Sequence, residues 1–234
     1  NRIEISELEE RALKRLVREE GEKQQNIENI TAKAIPHLSA EAKPEALEKD
    51  WLTHFFDRCR GVSDEEMQSL WAQVLAGQSN KTGSFSKRTI EIVAALDKSD
   101  AELFTNFCSF VWLVGDETPI ILDLSAEIYK NSGLNFHTLS HLDAIGLINF
   151  DKSRSLAKVL VPDTTTVFYF GRPLIVNPVE ETLLPNIGKH IPVGHAFLTE
   201  AGRQLSAVCE AKPARAIPLF VISSWVESGC ILSI

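Results

Sequence analysis

The sequence predicts an α+β protein, predominantly α, in which an N-terminal amphipathic helix and a helical module precede a winged-helix-like α/β module. Three observations predict this. Apolar residues recur at helical spacing through most of the first 114 positions. Runs of Ser, Asp and Glu fall where helices would start. Beyond Gly115 the pattern changes to short β-branched and aromatic runs punctuated by Gly and Pro. The expected division is residues 1–35 for the amphipathic, coiled-coil-compatible helix, 36–114 for the helical module and 115–234 for the winged-helix-like module. The last boundary is placed within 114–124.

The first helix is expected from Ile5 to about Ile30. Leu8, Ala12 and Leu16 recur along one face, and Leu13 and Val17 widen the stripe. Charges of both signs are interleaved on the other side. Gly21 and the polar run Glu22 to Asn26 weaken the stripe, so it fits an oligomerising helix and a helix packed on its own domain equally well. Pro36 and Pro44 bracket a break. Trp51, Phe55, Phe56 and Cys59 then share one side of a helix from about Glu45 to Arg60, ended by Gly61. Ser63-Asp64-Glu65-Glu66 reads as a capping box with Ser63 at the cap, opening a helix stopped by Gly77. A helix carrying Ile90, Val93, Ala94 and Leu96 follows Ser84-Phe85-Ser86. Ser99-Asp100-Ala101-Glu102 reads as a second capping box, with its helix running through Phe104, Phe107, Cys108, Val111 and Trp112.

Pro119 to Leu122 reads as a strand or a buried turn, Ser125 to Asn131 and Phe136 to Ala144 as short helices. Strands are expected at 147–150, 156–161, 166–170 and 174–176, and a helix capped by Thr199. Ile217 to Val226 reads as a strand running into a helix. Two helices followed by a small antiparallel sheet is the order of a winged-helix unit.

Many winged helices read DNA with the second helix. Its outward candidates are His137, Thr138, Ser140, His141 and Asp143, none of them Lys or Arg. Residues 123–170 hold four basic and five acidic residues, and the chain of 234 residues has a formal charge of -8. Phosphate binding calls for a basic footprint, so protein contacts fit this segment better than duplex DNA.

The common catalytic grammars are missing: no phosphate loop, dinucleotide fingerprint, nucleophile elbow or kinase signature set. His137 and His141 have metal-ligand spacing, but a metalloprotease helix needs Glu where Thr138 stands, and no third ligand is placed. The plainer reading is two surface histidines. His54, Asp57 and Cys59 suggest a nucleophile and its base, yet positions 54 and 59 do not share a helix face. Asp64, Glu65 and Glu66 suit cation binding or acid–base work, but also a helix start. Ser84 to Arg88 offers hydroxyls and cations for an anion, or an ordinary N-cap. No catalytic, cofactor-binding or metal-ligating residue is therefore assigned, no cofactor is expected, and the protein is read as not an enzyme.

Cys59, Cys108, Cys209 and Cys230 are well separated with no CxxC pair, which fits reduced thiols in a cytoplasmic protein. No signal peptide is visible, and no apolar run approaches the roughly 20 residues of a membrane span. Because the chain starts at Asn1 rather than Met, membrane contact through an upstream segment is allowed for.

Several runs carry a resemblance: 50-DWxxxFFDxCRxxSDEEMQxLWAxxLAG-77, 83-GSFSKRT-89, 96-LDKSDAELF-104, 141-HLDxIGLI-148 and 198-LTxAGxQL-205. Over nearly its whole length the chain resembles an uncharacterised bacterial family known only as a domain of unknown function. Members of that family carry an extra amphipathic N-terminal stretch. The resemblance implies no activity, cofactor or site residue. It does suggest a setting in bacterial stress or phage response. The function expected is a non-enzymatic protein-interaction or self-assembly protein, working as a homo-oligomer or through a protein partner. A DNA-binding winged-helix regulator is the alternative.

Overall fold

The computed structural model describes residues 6–159, 166–177, 190–229 and 231–233. Its helices and small antiparallel sheets make an α+β, mostly α fold. The chain divides into two compact units, residues 1–98 and 99–234. The division falls at 98/99 rather than within 114–124. The reason lies in the helix after Lys98, whose Thr105 and Asp100 side chains bond to Cys209 and His141 further along the second unit.

In the first unit, α1 (Glu7–Ala34) is followed by two single 3-10 turns containing Pro36 and Pro44. Then come α2 (Lys49–Cys59), α3 (Glu65–Asn80) and α4 (Lys87–Ala95). The core is aromatic. Trp51 stacks on Phe55 with ring centroids 5.1 Å apart, and Phe55 meets Trp71 edge-on at 5.2 Å. These rings are desolvated because i, i+4 spacing puts 51, 55 and 59 on one face of α2. Phe56, expected beside them, is only half-buried. The indole N–H of Trp51 donates to the Phe85 carbonyl at 2.8 Å, so its polar edge is satisfied.

Two boundaries differ from the sequence reading. Asp64, not Ser63, caps α3: its carboxylate accepts from the Glu66 and Met67 amides, each at 3.0 Å. Gly77 does not stop α3, which runs on to Asn80. Tertiary bonds hold that last turn, where buried Gln78 accepts from the Phe85 amide and Asn80 accepts from the Ser39 amide while donating to the His37 carbonyl. A glycine penalty of about 1 kcal/mol is small against such bonds.

The second unit starts with α5 (Lys98–Cys108). Ser99 lies inside its first turn rather than at its cap. The helix stops at Cys108, and Val111 and Trp112, read as its continuation, belong instead to β1 (Val111–Val114). Trp112 and Val114 point to the core while Leu113 is exposed, the alternation of a strand. Gly115, at φ 78°, turns β1 into β2 (Asp116–Pro119), which pairs Val114 with Asp116. Helices α6 (Glu127–Asn131) and α7 (Phe136–Ala144) follow, then β3 (Ile148–Phe150), β4 (Leu156–Val159), β5 (Thr166–Tyr169), β6 (Arg172–Asn177), β7 (His190–Gly194) and β8 (Ala196–Leu198). Residues 160 and 161, the end of one expected strand, lie outside the described residues. The chain closes with α8 (Glu200–Ser206), α9 (Ala216–Glu227) and β9 (Ile231–Ser233).

Among the described residues, strands pair antiparallel in three sheets: β2-β1-β5-β6-β9, β3-β8 and β4-β7. Ile217, Val221 and Trp225 are buried at i, i+4 and i+8, so the segment read as strand-then-helix is helix throughout. Pro218 sits in its first turn, where a missing N–H costs nothing. Trp112 lies at the centre, 4.8 Å from Tyr169 and 5.4 Å from Trp225. Gly194, at φ 97°, lets β7 pass Ile121: a Cβ there would stand 1.6 Å from the Ile121 carbonyl oxygen.

Gly194→Ala is expected to destabilise the protein by at least about 2 kcal/mol, through forced backbone separation at Ile121. Gly21→Ala, in an exposed helix interior with nothing within 4 Å of the new methyl, is expected to stabilise by about 0.5–1 kcal/mol. Urea titration of both variants checks the pair.

Candidate functional site

Among the described residues, the first half of α1 carries four exposed large aliphatic side chains. Ser6 caps the helix in a reciprocal box. Its hydroxyl accepts from the Glu9 amide at 3.3 Å, and the Glu9 carboxylate accepts from the Ser6 amide at 2.7 Å. The Ser6-Glu7-Leu8-Glu9 signal was in the sequence and was overlooked there. Glu7, Glu9 and Glu10 in the first turn complement the helix dipole. Ion pairs then run along the helix from Glu7 to Arg11, Glu10 to Lys14, Arg15 to Glu19 and Arg18 to Glu22. The cap and these pairs define a helix, but every residue from Ser6 to Arg18 is exposed. Leu8 is 69% exposed, Leu13 47%, Leu16 52% and Val17 71%. Only the far end packs, with Ile30 and Ala34 buried. There Asn26 donates to the Arg60 carbonyl and Lys33 to that of Glu65.

A second candidate surface is α7. Asn135 caps it and Leu139 and Leu142 anchor it in the core. Of the five outward residues proposed for recognition, three are engaged internally. Thr138 accepts from the Asn135 amide and donates to the Gly133 carbonyl. His141 Nε2 lies 2.6 Å from the Asp100 carboxylate, and Asp143 accepts from the Phe150 amide. His137 is exposed and Ser140 half-buried. His137 and His141 share a helix face, but no group of three His, Cys, Asp or Glu side chains able to hold a metal occurs among the described residues.

The other sequence candidates resolve into structural roles. His54 Nε2 lies 3.0 Å from the Glu91 carboxylate, off the line of a hydrogen bond, and Arg58 binds the same oxygen at 2.8 Å. Cys59 is buried, which pushes its thiol up to about 12 and leaves it unreactive at neutral pH. Asp57 faces Arg60 instead of His54 or Cys59. Asp64 is the cap of α3, and the amides of Met67 and Glu66 hold its carboxyl below the usual range. Glu66 pairs with Lys98 at 2.8 Å. Ser86 caps α4 through the Thr89 amide, Ser84 donates to the Lys81 carbonyl, and Lys87 and Arg88 are exposed.

The Ser6 amide and hydroxyl stabilise the ionised form of Glu9, so its folded pKa lies below its ordinary 4.5. A carboxylate with a depressed folded pKa contributes stability above its unfolded value and loses it as pH falls through the folded one. The start of α1 is therefore expected to fray as pH falls below the ordinary carboxylate range, and Glu9→Gln, which keeps the box, to blunt that dependence. Amide exchange of residues 6–12 against pH reads the effect.

No helix among the described residues is long and apolar enough to cross a membrane. Comparison with curated proteins gave no match, and neither did comparison with solved structures. One family matches residues 10–216, described as a protein of unknown function (DUF2806). That match takes in most of both units, and the chain belongs to this family.

Proposed function

We propose that this protein is a non-enzymatic interaction protein that self-associates through the first half of α1. The observation that supports this reading is the capped, exposed stretch from Ser6 to Arg18, with Leu8, Leu13, Leu16 and Val17 about half or more in water. Short helices are marginal alone, because nucleation is costly and most helical stability comes from packing an apolar face. Pairing two such stripes removes that area from water at about 25 cal/mol per Å². A protein partner presenting a complementary helix would use the same face. The setting we propose is the bacterial cytoplasm, in stress or phage response. The free buried thiols of Cys59, Cys108 and Cys209 support the compartment.

Sedimentation velocity across a concentration series is the test. The wild type is expected to form dimers or larger species. Leu13→Lys with Leu16→Lys is expected to leave a monomer whose melting temperature changes little, since exposed substitutions usually shift stability within about ±0.5 kcal/mol. A wild type that stays monomeric at high concentration, and retains no partner in a pull-down from its host, overturns the reading.

A second reading is a DNA-binding winged-helix regulator. The order α6, α7, β3 and the pairing of β3 with β8 support it. The absence of Lys and Arg from the outward face of α7 counts against it. A mobility shift with duplex DNA at low salt separates the two, and no shift ends this second reading.

A further inference from the structure

Cys108 ends α5, and Cys209 follows α8. The sequence sets them far apart. The fold brings them together: the Thr105 hydroxyl, one turn before Cys108, donates to the Cys209 carbonyl at 3.3 Å. The Cys209 Sγ donates to the Ser206 carbonyl at 3.6 Å, and the Cys108 and Cys209 sulfurs are near enough to shift each other's ionisation. Glu210 adopts a left-handed backbone, φ 52°, and turns the chain immediately after Cys209. Cys108 lines a largely apolar groove of about 530 Å³ together with Ser206, Ala207, Glu210 and Ala211, the residues around Cys209. Cys209 itself keeps 9% of its surface exposed.

We propose that Cys108 and Cys209 form a peroxide-responsive pair that closes to a reversible intramolecular disulfide. The two sulfurs have different roles. The neighbouring Cys108 lowers the pKa of Cys209, whereas burial and the neighbouring sulfur push Cys108 up. Cys209 is the attacking sulfur and Cys108 the resolving one.

Hydrogen peroxide is the oxidant, small enough to enter through the groove. The Cys209 thiolate attacks one peroxide oxygen, forming an S–O bond as the O–O bond breaks. The hydroxide released takes a proton from solvent and leaves as water. The Cys108 sulfur then attacks the Cys209 sulfenic acid. The S–S bond forms, the S–O bond breaks, and the Cys108 proton leaves with that hydroxide as a second water. Two thiols have lost two electrons, and one peroxide has become two waters. A dithiol reductant restores the pair by exchange.

The experiment uses the reduced full chain, titrated with hydrogen peroxide, quenched by alkylation and mapped by mass spectrometry with and without reductant. The expected result is a cross-linked peptide joining Cys108 to Cys209 in a protein that runs as a monomer on a denaturing non-reducing gel. Cys59 should remain alkylatable after unfolding, and Cys59→Ser and Cys230→Ser should leave the cross-link intact. Cys108→Ser should leave a sulfenic acid on Cys209 that dimedone traps, and Cys209→Ser should abolish both products. Mapping of the wild type decides the matter even where a variant fails to fold. The proposal is overturned if Cys108 and Cys209 both stay alkylatable at peroxide levels that oxidise free cysteine. A disulfide to Cys59 or Cys230 instead, or oxidation of Cys209 to sulfinic acid beside an intact Cys108 thiol, also overturns it.

Discussion

Burial of Ile30 and Ala34 against the first unit's own helices fixes one end of α1, and among the described residues nothing buries the apolar residues nearer its start. This imbalance governs the functional reading. A 28-residue helix carries its dipole, cap and ion pairs along its length, but those terms are small and screened by salt. Packing supplies most of the stability of a protein helix, and every residue from Ser6 to Arg18 stays exposed among the described residues. Four large aliphatic side chains stand exposed on this one stretch, and on them rests the association we propose.

The second unit is organised differently. Trp112 meets Tyr169 and Trp225, and the polar edges of two of these rings are tied down: Trp225 donates to the Pro192 carbonyl, and Tyr169 donates to the Ser109 carbonyl while accepting from the Ala214 amide. Two strands of the five-stranded sheet, β1 and β5, the strand β7 and the helix α9 thus converge on a single aromatic centre. Tyr129 of α6 plays the same part, donating to the Ile120 carbonyl and accepting from the Leu122 amide. Its burial raises its hydroxyl well above the ordinary range, which keeps it a neutral donor. α7 is held separately, by buried Leu139 and Leu142 and by the internal bonds of Thr138, Asp143 and His141.

Sequence pattern located most elements and misjudged those where two periods coincide. α7 falls at Phe136–Ala144 as expected because Asn135 and Gly146 mark both ends with unambiguous chemistry. Val111 and Trp112 continue a helical spacing from Phe104 by coincidence, and only pairing with β2 and β5 reveals the strand. Ile217–Val226 is rich in β-branched residues, but its buried positions follow a 3.6-residue period that local propensity outvoted. Neighbouring candidate caps were indistinguishable in sequence at 63 and 64, since each has an oxygen that can accept. The apolar stripe of α1 was legible at once, but its exposure was not, because a pattern fixes which face is apolar and not what covers it. The Cys108–Cys209 pair was invisible for a related reason: residues so distant in sequence meet only through the fold.

The most direct test of the central claim is hydrogen–deuterium exchange of the α1 amides at several protein concentrations. Association through this helix predicts that residues 7–20 become more protected as concentration rises, while residues 26–34, already packed, stay unchanged. Equal and rapid exchange of residues 7–20 at every concentration would contradict the account and leave α1 an uncovered helix.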